Sequence, residues 1–85
     1  MKSVEIYTRS WCGYCAAAKR LLKARGAAFT EYDVEAEPAR LPEMLARARG
    51  RRSVPQIFVG DTHVGGSDDL HALDRAGKLV SLLAA

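Results

Sequence analysis

Trp11-Cys12-Gly13-Tyr14-Cys15 contains both cysteines of this 85-residue chain. The residues before it, Val4–Thr8, alternate strand-forming side chains and predict a β-strand. The residues after it, Ala16–Lys23, include no helix breaker and predict an α-helix. The two thiols are therefore expected at the junction of a strand and a helix.

The C-x-x-C spacing at a helix start is typical of a redox-active pair. The first backbone N–H groups of a helix are unpaired and carry partial positive charge, so they stabilise a thiolate at the capping residue. Cys12 has that position, and we expect its thiolate to be a nucleophile at neutral pH. Cys15 follows one turn later on the same side. We expect it closer to the core, protonated and within reach of a disulfide bond with Cys12.

Other uses of a C-x-x-C pair fit this sequence less well. Zinc requires four ligands, and beyond the pair the chain offers only His63 and His71, which we expect to be solvated and without a catalytic role. Haem attachment requires a histidine where Ala16 stands. A structural disulfide across so short a loop would constrain the unfolded chain little. We therefore predict a redox pair with no zinc site and no tightly bound cofactor.

The length indicates one small domain, residues 1–85, with no room for a second. The N-terminus leads directly into the first strand without an apolar signal segment, and no apolar run reaches membrane-spanning length. We therefore expect a cytoplasmic protein with no membrane partner. Thiols are kept reduced in that compartment, so the two cysteines should cycle between dithiol and disulfide.

The formal net charge of +3 raises the question of an anionic partner. The chain lacks aromatic residues interleaved with its basic ones, so we expect no nucleic-acid partner. A solvated rim is the simpler explanation, and attraction of a small anionic substrate is the alternative. The one basic cluster consists of Arg47, Arg49, Arg51 and Arg52.

The sequence after the thiols predicts a β-α-β unit. Gly26 is placed to end the first helix, and Ala27–Val34 resumes a strand-like alternation. Such a unit makes its two strands parallel and puts the Cys12 loop at the carboxyl end of the first strand. A second helix is predicted at Arg40–Arg49. Its apolar positions, which should face the sheet, are Leu41, Met44, Leu45 and Ala48.

The C-terminal half predicts two antiparallel strands and a last helix. A strand at Ser53–Val59 is joined by a turn at Gly60–Thr62 to a short return strand, His63–Val64. Ser67 is placed to cap the last helix. The apolar face of that helix should hold Leu70, Leu73 and Gly77. The apolar segment Leu79–Leu83 should dock as a final turn or helix, or alternatively form a weak oligomer contact.

This order of elements resembles the thioredoxin fold, and within it the short bacterial dithiol glutaredoxins. The resemblance covers essentially the whole chain and rests on four blocks in order: Tyr7-Thr8-Arg9, Cys12-Gly13-Tyr14-Cys15, Ser53-Val54-Pro55-Gln56-Ile57-Phe58 and Gly65-Gly66-Ser67-Asp68-Asp69-Leu70. It implies an α/β, thioredoxin-like fold with a four-stranded mixed sheet (β-α-β-α-β-β-α) flanked by helices. It also implies a glutathione-dependent thiol-disulfide oxidoreductase acting on protein disulfides and protein–glutathione mixed disulfides through Cys12 and Cys15.

The resemblance further implies a site for glutathione, which is γ-glutamyl-cysteinyl-glycine. Pro55 matches a proline that is cis in the family, and the Val54 backbone before it should pair with the cysteinyl residue of glutathione. Close to Gly66, the N–H groups of Ser67 and Asp68 should bind the γ-glutamyl carboxylate, and the Asp68 side chain its ammonium.

The other end of glutathione requires a second carboxylate receptor. Arg9 is the candidate for the glycine carboxylate, with Arg51 and Gln56 as helpers. Tyr14 is expected to pack over the thiol. A thioredoxin-type protein reduced by a flavoprotein is a rival interpretation, although it would not need the residues proposed to bind the γ-glutamyl end.

The chain departs from the common family pattern most clearly at Gly13, where proline is usual. Glycine loosens the turn that proline would stiffen. Relatives without that proline sometimes hold a glutathione-ligated [2Fe–2S] cluster between two subunits, so the alternative function is a cluster carrier with Cys12 as a ligand. We expect a monomer, and a dimer only with a cluster bound.

Overall fold

A computed structural model describes residues 1–85 and contains one four-stranded sheet with four helices. The elements in chain order are β1 (Val4–Thr8), α1 (Gly13–Ala24), β2 (Thr30–Asp33), α2 (Arg40–Arg47), β3 (Gln56–Val59), β4 (Thr62–Gly65), α3 (Ser67–Arg75) and α4 (Lys78–Ala84). The strand order is β2-β1-β3-β4, with β1 parallel to β2 and antiparallel to β3, and β4 antiparallel to β3. The expected thioredoxin-like mixed sheet is confirmed.

The period-two alternation of the central strands divides the core into two halves. Ile6 and Ile57 pack with residues of α1, α3 and α4, whereas Tyr7 and Phe58 pack with α2. The predicted docking of the C-terminal segment is confirmed, because α4 buries Leu79 within the first half. The strands are thus covered on both faces, and the loop after β1 leaves from a rigid support.

The half of the core beneath α2 contains a polar network that the sequence did not predict. The Tyr7 hydroxyl donates to Glu43 and accepts from Arg47 at 2.8 Å, and Arg47 also pairs with Glu5 at 2.9 Å. Burial and the bond to Glu43 raise the pKa of Tyr7 to about 12. Arg47 therefore belongs to the fold, and the expectation of a solvated rim is wrong for this member of the basic cluster.

Several element boundaries differ from the predictions, and three of them differ by two or three residues in the segments around the site. The strands β2 and β3 begin three residues later, and α2 ends two residues earlier. Arg49 and Gly50 have φ values of 56° and 86°, which are incompatible with a right-handed helix. Pro55 has no N–H group to contribute to a strand ladder, so β3 begins after it.

The last long helix also begins and ends differently from the prediction. Gly66 is the N-cap and Ser67 the first helical residue, so the assignment of Ser67 as the cap is wrong. The capping interaction comes from Asp69, whose Oδ2 accepts the Gly66 N–H at 2.9 Å. Gly77 is not on the apolar face, because its φ of 72° separates α3 from α4. None of the four helices is both long and apolar enough to cross a lipid bilayer.

Candidate active site

Cys12 caps the N-terminus of α1, as the sequence predicts. Its Sγ accepts a hydrogen bond from the Cys15 N–H at 3.1 Å and lies 3.9 Å from the carbonyl oxygen of Val54. The Cys12 side chain is partly exposed, whereas Cys15 is only 2% exposed. Only Cys12 is therefore open to attack an external disulfide.

The second thiol has a higher pKa than a free cysteine. Burial and the nearby Cys12 sulfur raise the pKa of Cys15 to about 12. A thiol with such a pKa carries its proton at neutral pH. The expected position of Cys15 near the core is confirmed, and its raised pKa agrees with the expectation that it carries its proton.

The loop that carries the nucleophile is attached to the segment after β2. The Ser10 N–H donates to Glu35 Oε1 at 2.9 Å, and the Ser10 hydroxyl lies 3.4 Å from the Asp33 carboxylate. Trp11, between these contacts and Cys12, is fully exposed and has a φ of 58°. No local pattern in the sequence predicts that Asp33 and Glu35 support the active-site loop, because only the parallel pairing of β1 and β2 brings them beside it.

An open cleft of about 270 Å³ adjoins the thiols. Its lining residues are Tyr14, Arg51, Ser53, Val54, Pro55, Gly66, Ser67, Asp68 and Asp69. Seven of the nine glutathione-binding candidates are in this set, and the Val54–Pro55 peptide bond is cis as the resemblance implied. The structure thus brings together segments that are distant in sequence. One of the residues that they contribute, Val54, contacts Cys12 through its carbonyl oxygen.

Arg9 is not in that cleft. It is exposed and lines a groove on the other side of the thiols, together with Trp11, Lys19 and Asp33. Arg51 lies in the cleft beside α3, where its Nη1 is 3.5 Å from Asp69 Oδ2. The two arginines expected to act together are therefore at different places around Cys12.

Gln56 does not line the cleft either, and its side chain is 0% exposed. Its Nε2 donates to the Ser53 carbonyl oxygen at 2.9 Å and lies 3.2 Å from the Ser53 hydroxyl, while its Oε1 lies 2.7 Å from His63 Nε2. Both ends of the amide are occupied inside the protein. The prediction that Gln56 contacts a ligand carboxylate is therefore wrong for this structure.

The two histidines are less solvated than expected. His63 is partly buried and stacks on Phe58, with 4.7 Å between ring centroids and 20° between planes. Burial, reinforced by the positive charge of Arg51, lowers the pKa of His63. His71 Nδ1 donates to the Ser67 carbonyl oxygen at 2.8 Å, one turn back along α3. Both side chains have structural partners, which their positions in the sequence did not indicate.

The N-terminus of α3 forms one wall of the cleft. Its first N–H groups carry partial positive charge, which suits a carboxylate. Asp68 is exposed and takes part in no ion pair within the chain, so its side chain is available to a cation. Gly65 is required before this wall, because a Cβ there would lie 2.3 Å from Asp69 Oδ2. The wall can therefore bind a zwitterion.

Sequence comparison agrees with this geometry. The glutaredoxin family model matches residues 4–64. The chain is 54% identical over 85 residues to a glutaredoxin of Pseudomonas aeruginosa, with full coverage of both chains. It is 48% identical over 83 residues to glutaredoxin 3 of Escherichia coli K12, covering 98% of this chain and 99% of the relative.

Solved structures show the same similarity in three dimensions. A buckwheat glutaredoxin–glutathione complex superposes with a TM-score of 0.86 at 32% identity, covering 95% of this chain and 76% of that one. A structure described as "Metal Binding of Glutaredoxins" has a TM-score of 0.73 at 57% identity, with 98% and 89% coverage. With the family model, the relatives and the thiol geometry in agreement, this chain belongs to the glutaredoxin family of thiol-disulfide oxidoreductases.

Proposed function

We propose that this glutaredoxin uses glutathione to reduce protein–glutathione mixed disulfides and protein disulfides. The observation that carries the proposal is the 3.9 Å distance between Cys12 Sγ and the Val54 carbonyl oxygen. It sets the accessible thiol beside the backbone that would hold an extended peptide. The other wall of the same cleft is the N-terminus of α3, which suits a carboxylate.

In the proposed complex, glutathione runs from α3 past Val54 toward Arg9. The Val54 N–H and C=O pair with its cysteinyl residue as in a sheet. The N–H groups of Ser67 and Asp68 hold the γ-glutamyl carboxylate, and the Asp68 side chain holds the ammonium. Arg9 takes the glycine carboxylate from the far side of the thiols.

Four further lining residues complete the proposed site. Tyr14, 66% exposed, covers the bound sulfur, and Pro55 and Gly66 let the ligand approach the backbone closely. Arg51 makes only a long, exposed ion pair, which a ligand carboxylate can replace at little cost. The buckwheat complex supports glutathione as the ligand of a protein with this fold.

The reaction on a mixed disulfide needs one thiol of the enzyme. The Cys12 thiolate attacks the glutathione sulfur, the substrate's sulfur–sulfur bond breaks, and the protein thiolate leaves and takes a proton from solvent. A second glutathione thiolate then attacks the sulfur of the bound glutathione. Oxidised glutathione leaves, and the Cys12 thiolate is restored.

The reaction on a protein disulfide needs both thiols. Cys12 first forms a mixed disulfide with the substrate, which removes the charge of its thiolate. Because that charge is one cause of the raised pKa of Cys15, the pKa of Cys15 falls at this step. Cys15 then loses its proton and attacks Cys12, which releases the reduced protein and leaves a Cys12–Cys15 disulfide for two glutathiones to reduce.

The test is a coupled assay with glutathione, glutathione reductase, NADPH and a glutathionylated peptide. We expect turnover that depends on glutathione and on the enzyme. If dithiothreitol reduces the Cys12–Cys15 disulfide but glutathione supports no turnover, the proposal fails and the thioredoxin-type interpretation replaces it.

We propose further that the enzyme acts as a monomer in the cytoplasm on disulfide-bonded or glutathionylated proteins. The basis for the location is the thiol pair, which must be reduced again after each cycle. Sizing of the purified protein at assay concentration tests the monomer.

A second candidate function, iron–sulfur cluster carriage, is favoured by Gly13. A Cβ built at this first residue of α1 meets no atom within 4 Å, so the loop is open in front of Cys12. One chain has no group of three or more metal-binding side chains. A [2Fe–2S] cluster needs four thiolates, which two Cys12 residues from two chains and two glutathiones could supply. The cluster would add electron-transfer or delivery chemistry.

Anaerobic reconstitution with iron, sulfide and glutathione tests this second candidate. The wild type should give a brown dimer that requires glutathione, and Gly13→Pro, which suits the first turn of a helix, should not. Visible absorption and sizing read out both properties. A colourless monomer in both proteins, with full disulfide exchange, excludes the carrier function.

A further inference from the structure

A partly buried chain of hydrogen bonds borders the cleft and joins β4 to the segment before β3. It runs from His63 through the Gln56 amide to the Ser53 carbonyl oxygen, with distances of 2.7 Å and 2.9 Å. Gln56 is 0% exposed, and His63 is held by stacking on Phe58. None of these side chains is used in the reaction described above.

The direction of each hydrogen bond in the chain is fixed by elementary chemistry. The Ser53 carbonyl oxygen can only accept, so the Gln56 NH₂ group must face it. The Gln56 Oε1 then faces His63, and since this oxygen can only accept, His63 Nε2 must carry a hydrogen. The neutral Nε2–H form and the imidazolium both meet this requirement, so this series of hydrogen bonds can form in either protonation state of His63.

The backbone of the segment that this hydrogen-bond chain holds makes no hydrogen bond with another backbone group. Its other contacts are the Cys12 sulfur near the Val54 carbonyl oxygen, the packing of Val54 against the half of the core beneath α2, and the burial of Pro55. No backbone hydrogen bond is made by Ser53, Val54 or Pro55 in the turns and loops, and all three lie outside the helices and strands. The Gln56 side chain therefore fixes the start of this segment from a buried strand residue. Val54, the next residue, has the carbonyl oxygen that lies 3.9 Å from Cys12 Sγ.

We propose that Gln56 and His63 are positioning residues for glutathione, acting through Ser53 on the Val54 backbone. The inference rests on the proposed function, because it concerns how the segment that receives glutathione is aligned. It assigns to Gln56 an indirect role in place of the direct contact expected from the sequence. His63 acts one step further away by orienting the Gln56 amide.

The experiment compares glutathione with dithiothreitol as reductant of the same enzyme. Gln56→Met keeps the length of the side chain but can neither donate to Ser53 nor accept from His63. One hydrogen bond is worth about 0.5 to 1.5 kcal/mol, so kcat/KM for glutathione should fall by roughly two- to thirteenfold relative to the dithiothreitol rate. His63→Phe keeps an aromatic ring beside Phe58 and should give a smaller fall in the same ratio.

A matched control removes a partly buried hydrogen bond elsewhere. Tyr32→Phe deletes the bond from the Tyr32 hydroxyl to Glu5 Oε2, which is 2.9 Å long and far from the cleft in sequence and sheet order. It should lower stability without changing the glutathione to dithiothreitol ratio. A purely structural role for Gln56 would likewise leave that ratio unchanged.

The outcomes separate this inference from the proposed function. If the wild type uses glutathione and Gln56→Met changes the ratio by less than twofold, the positioning role is overturned. If the wild type itself does not use glutathione, the proposed function has failed. Should Gln56→Met not fold, His63→Phe decides the matter, and a glutathione to dithiothreitol ratio equal to that of the wild type overturns the positioning role.

Discussion

Two helix N-termini meet at the active site, and they differ in what surrounds them. The start of α1 is capped by the Cys12 sulfur and has no acidic residue in its first turn. The start of α3 is capped by Gly66 and has two, Asp68 and Asp69. Both helices offer unpaired N–H groups with partial positive charge. At α1 the absence of carboxylates leaves that charge for a thiolate, whereas at α3 the carboxylates add a receptor for a cation.

The unpaired N–H groups of a helix N-terminus thus support the reaction at α1 and recognition of a ligand at α3. At α1 the charge acts on an atom of the protein, so a change there should alter the chemical step. At α3 it is available to a ligand, so a change there should alter the choice of reductant. Variants at the two N-termini should therefore separate the chemical step from the choice of reductant.

The strongest test removes the thiol at the start of α1. Cys12→Ser should abolish all turnover, because no other accessible thiol remains to attack a disulfide. Cys15→Ser should keep activity on a glutathionylated peptide, which requires only the attacking thiol. Steady-state kinetics on that peptide measure both. Activity in Cys12→Ser, or a Cys15→Ser protein as inactive as Cys12→Ser, would contradict the assignment.

The next test removes a carboxylate from the start of α3. Asp68→Ala should lower kcat/KM for glutathione roughly tenfold, because a charge-assisted hydrogen bond is typically worth about 1.5 to 3 kcal/mol. Reduction of the Cys12–Cys15 disulfide by dithiothreitol should barely change. Asp61→Ala, in the exposed turn between β3 and β4, is the matched control and should affect neither. Equal losses with both reductants would indicate damage to the fold.

A smaller effect concerns the reactivity of the two thiols along α1. Burial and the nearby Cys12 sulfur raise the pKa of Cys15 to about 12, so iodoacetamide should modify Cys12 alone between pH 7 and pH 9. Mass spectrometry of the peptides should show Cys15 labelled only near pH 12 or after unfolding. Comparable labelling of both thiols at pH 7 would show that their environments are not distinct.

The smallest effect is expected where the two helices are tied together away from the cleft. Arg25 Nε and Nη2 donate to the two carboxylate oxygens of Asp74, both at 2.7 Å, and this lowers the pKa of Asp74 from its usual 3.8. A lowered carboxyl pKa contributes stability above the unfolded value, and that contribution is lost as the pH falls through the folded value. Asp74→Asn should therefore be slightly less stable than the wild type at pH 7, with the difference vanishing below pH 3.8.

Chemical unfolding at several pH values measures that difference, and the reductant ratio serves as its functional control. Activity with glutathione and with dithiothreitol should be unchanged in Asp74→Asn, because the pair joins α1 and α3 outside the cleft. A changed ratio would mean that the two N-termini are coupled through this contact.

Local sequence signals place the nucleophile and the strand and helix on either side of it, whereas the fold class came from the order of elements and the family that it resembles. Alternation at Val4–Thr8, the breaker-free run after Cys15 and the C-x-x-C spacing are local signals, so they survive without knowledge of the partners. Cys12 was predicted to be the cap because it lies in the short connection between that strand and that helix. The segments lining the cleft came from family resemblance, which carries tertiary information that the local pattern lacks.

The hydrogen-bond partners and positions of the side chains around those segments depend on the tertiary structure. Gln56 has the same sequence neighbours whether its amide faces a ligand or Ser53, and the pairing of β3 with β4 selects the second by placing His63 beside it. Arg9 and Arg51 likewise line different clefts, although β1 ends and β3 begins at the same edge of the sheet. Side-chain partners across strands depend on register and on which face is covered, and no local pattern contains that information.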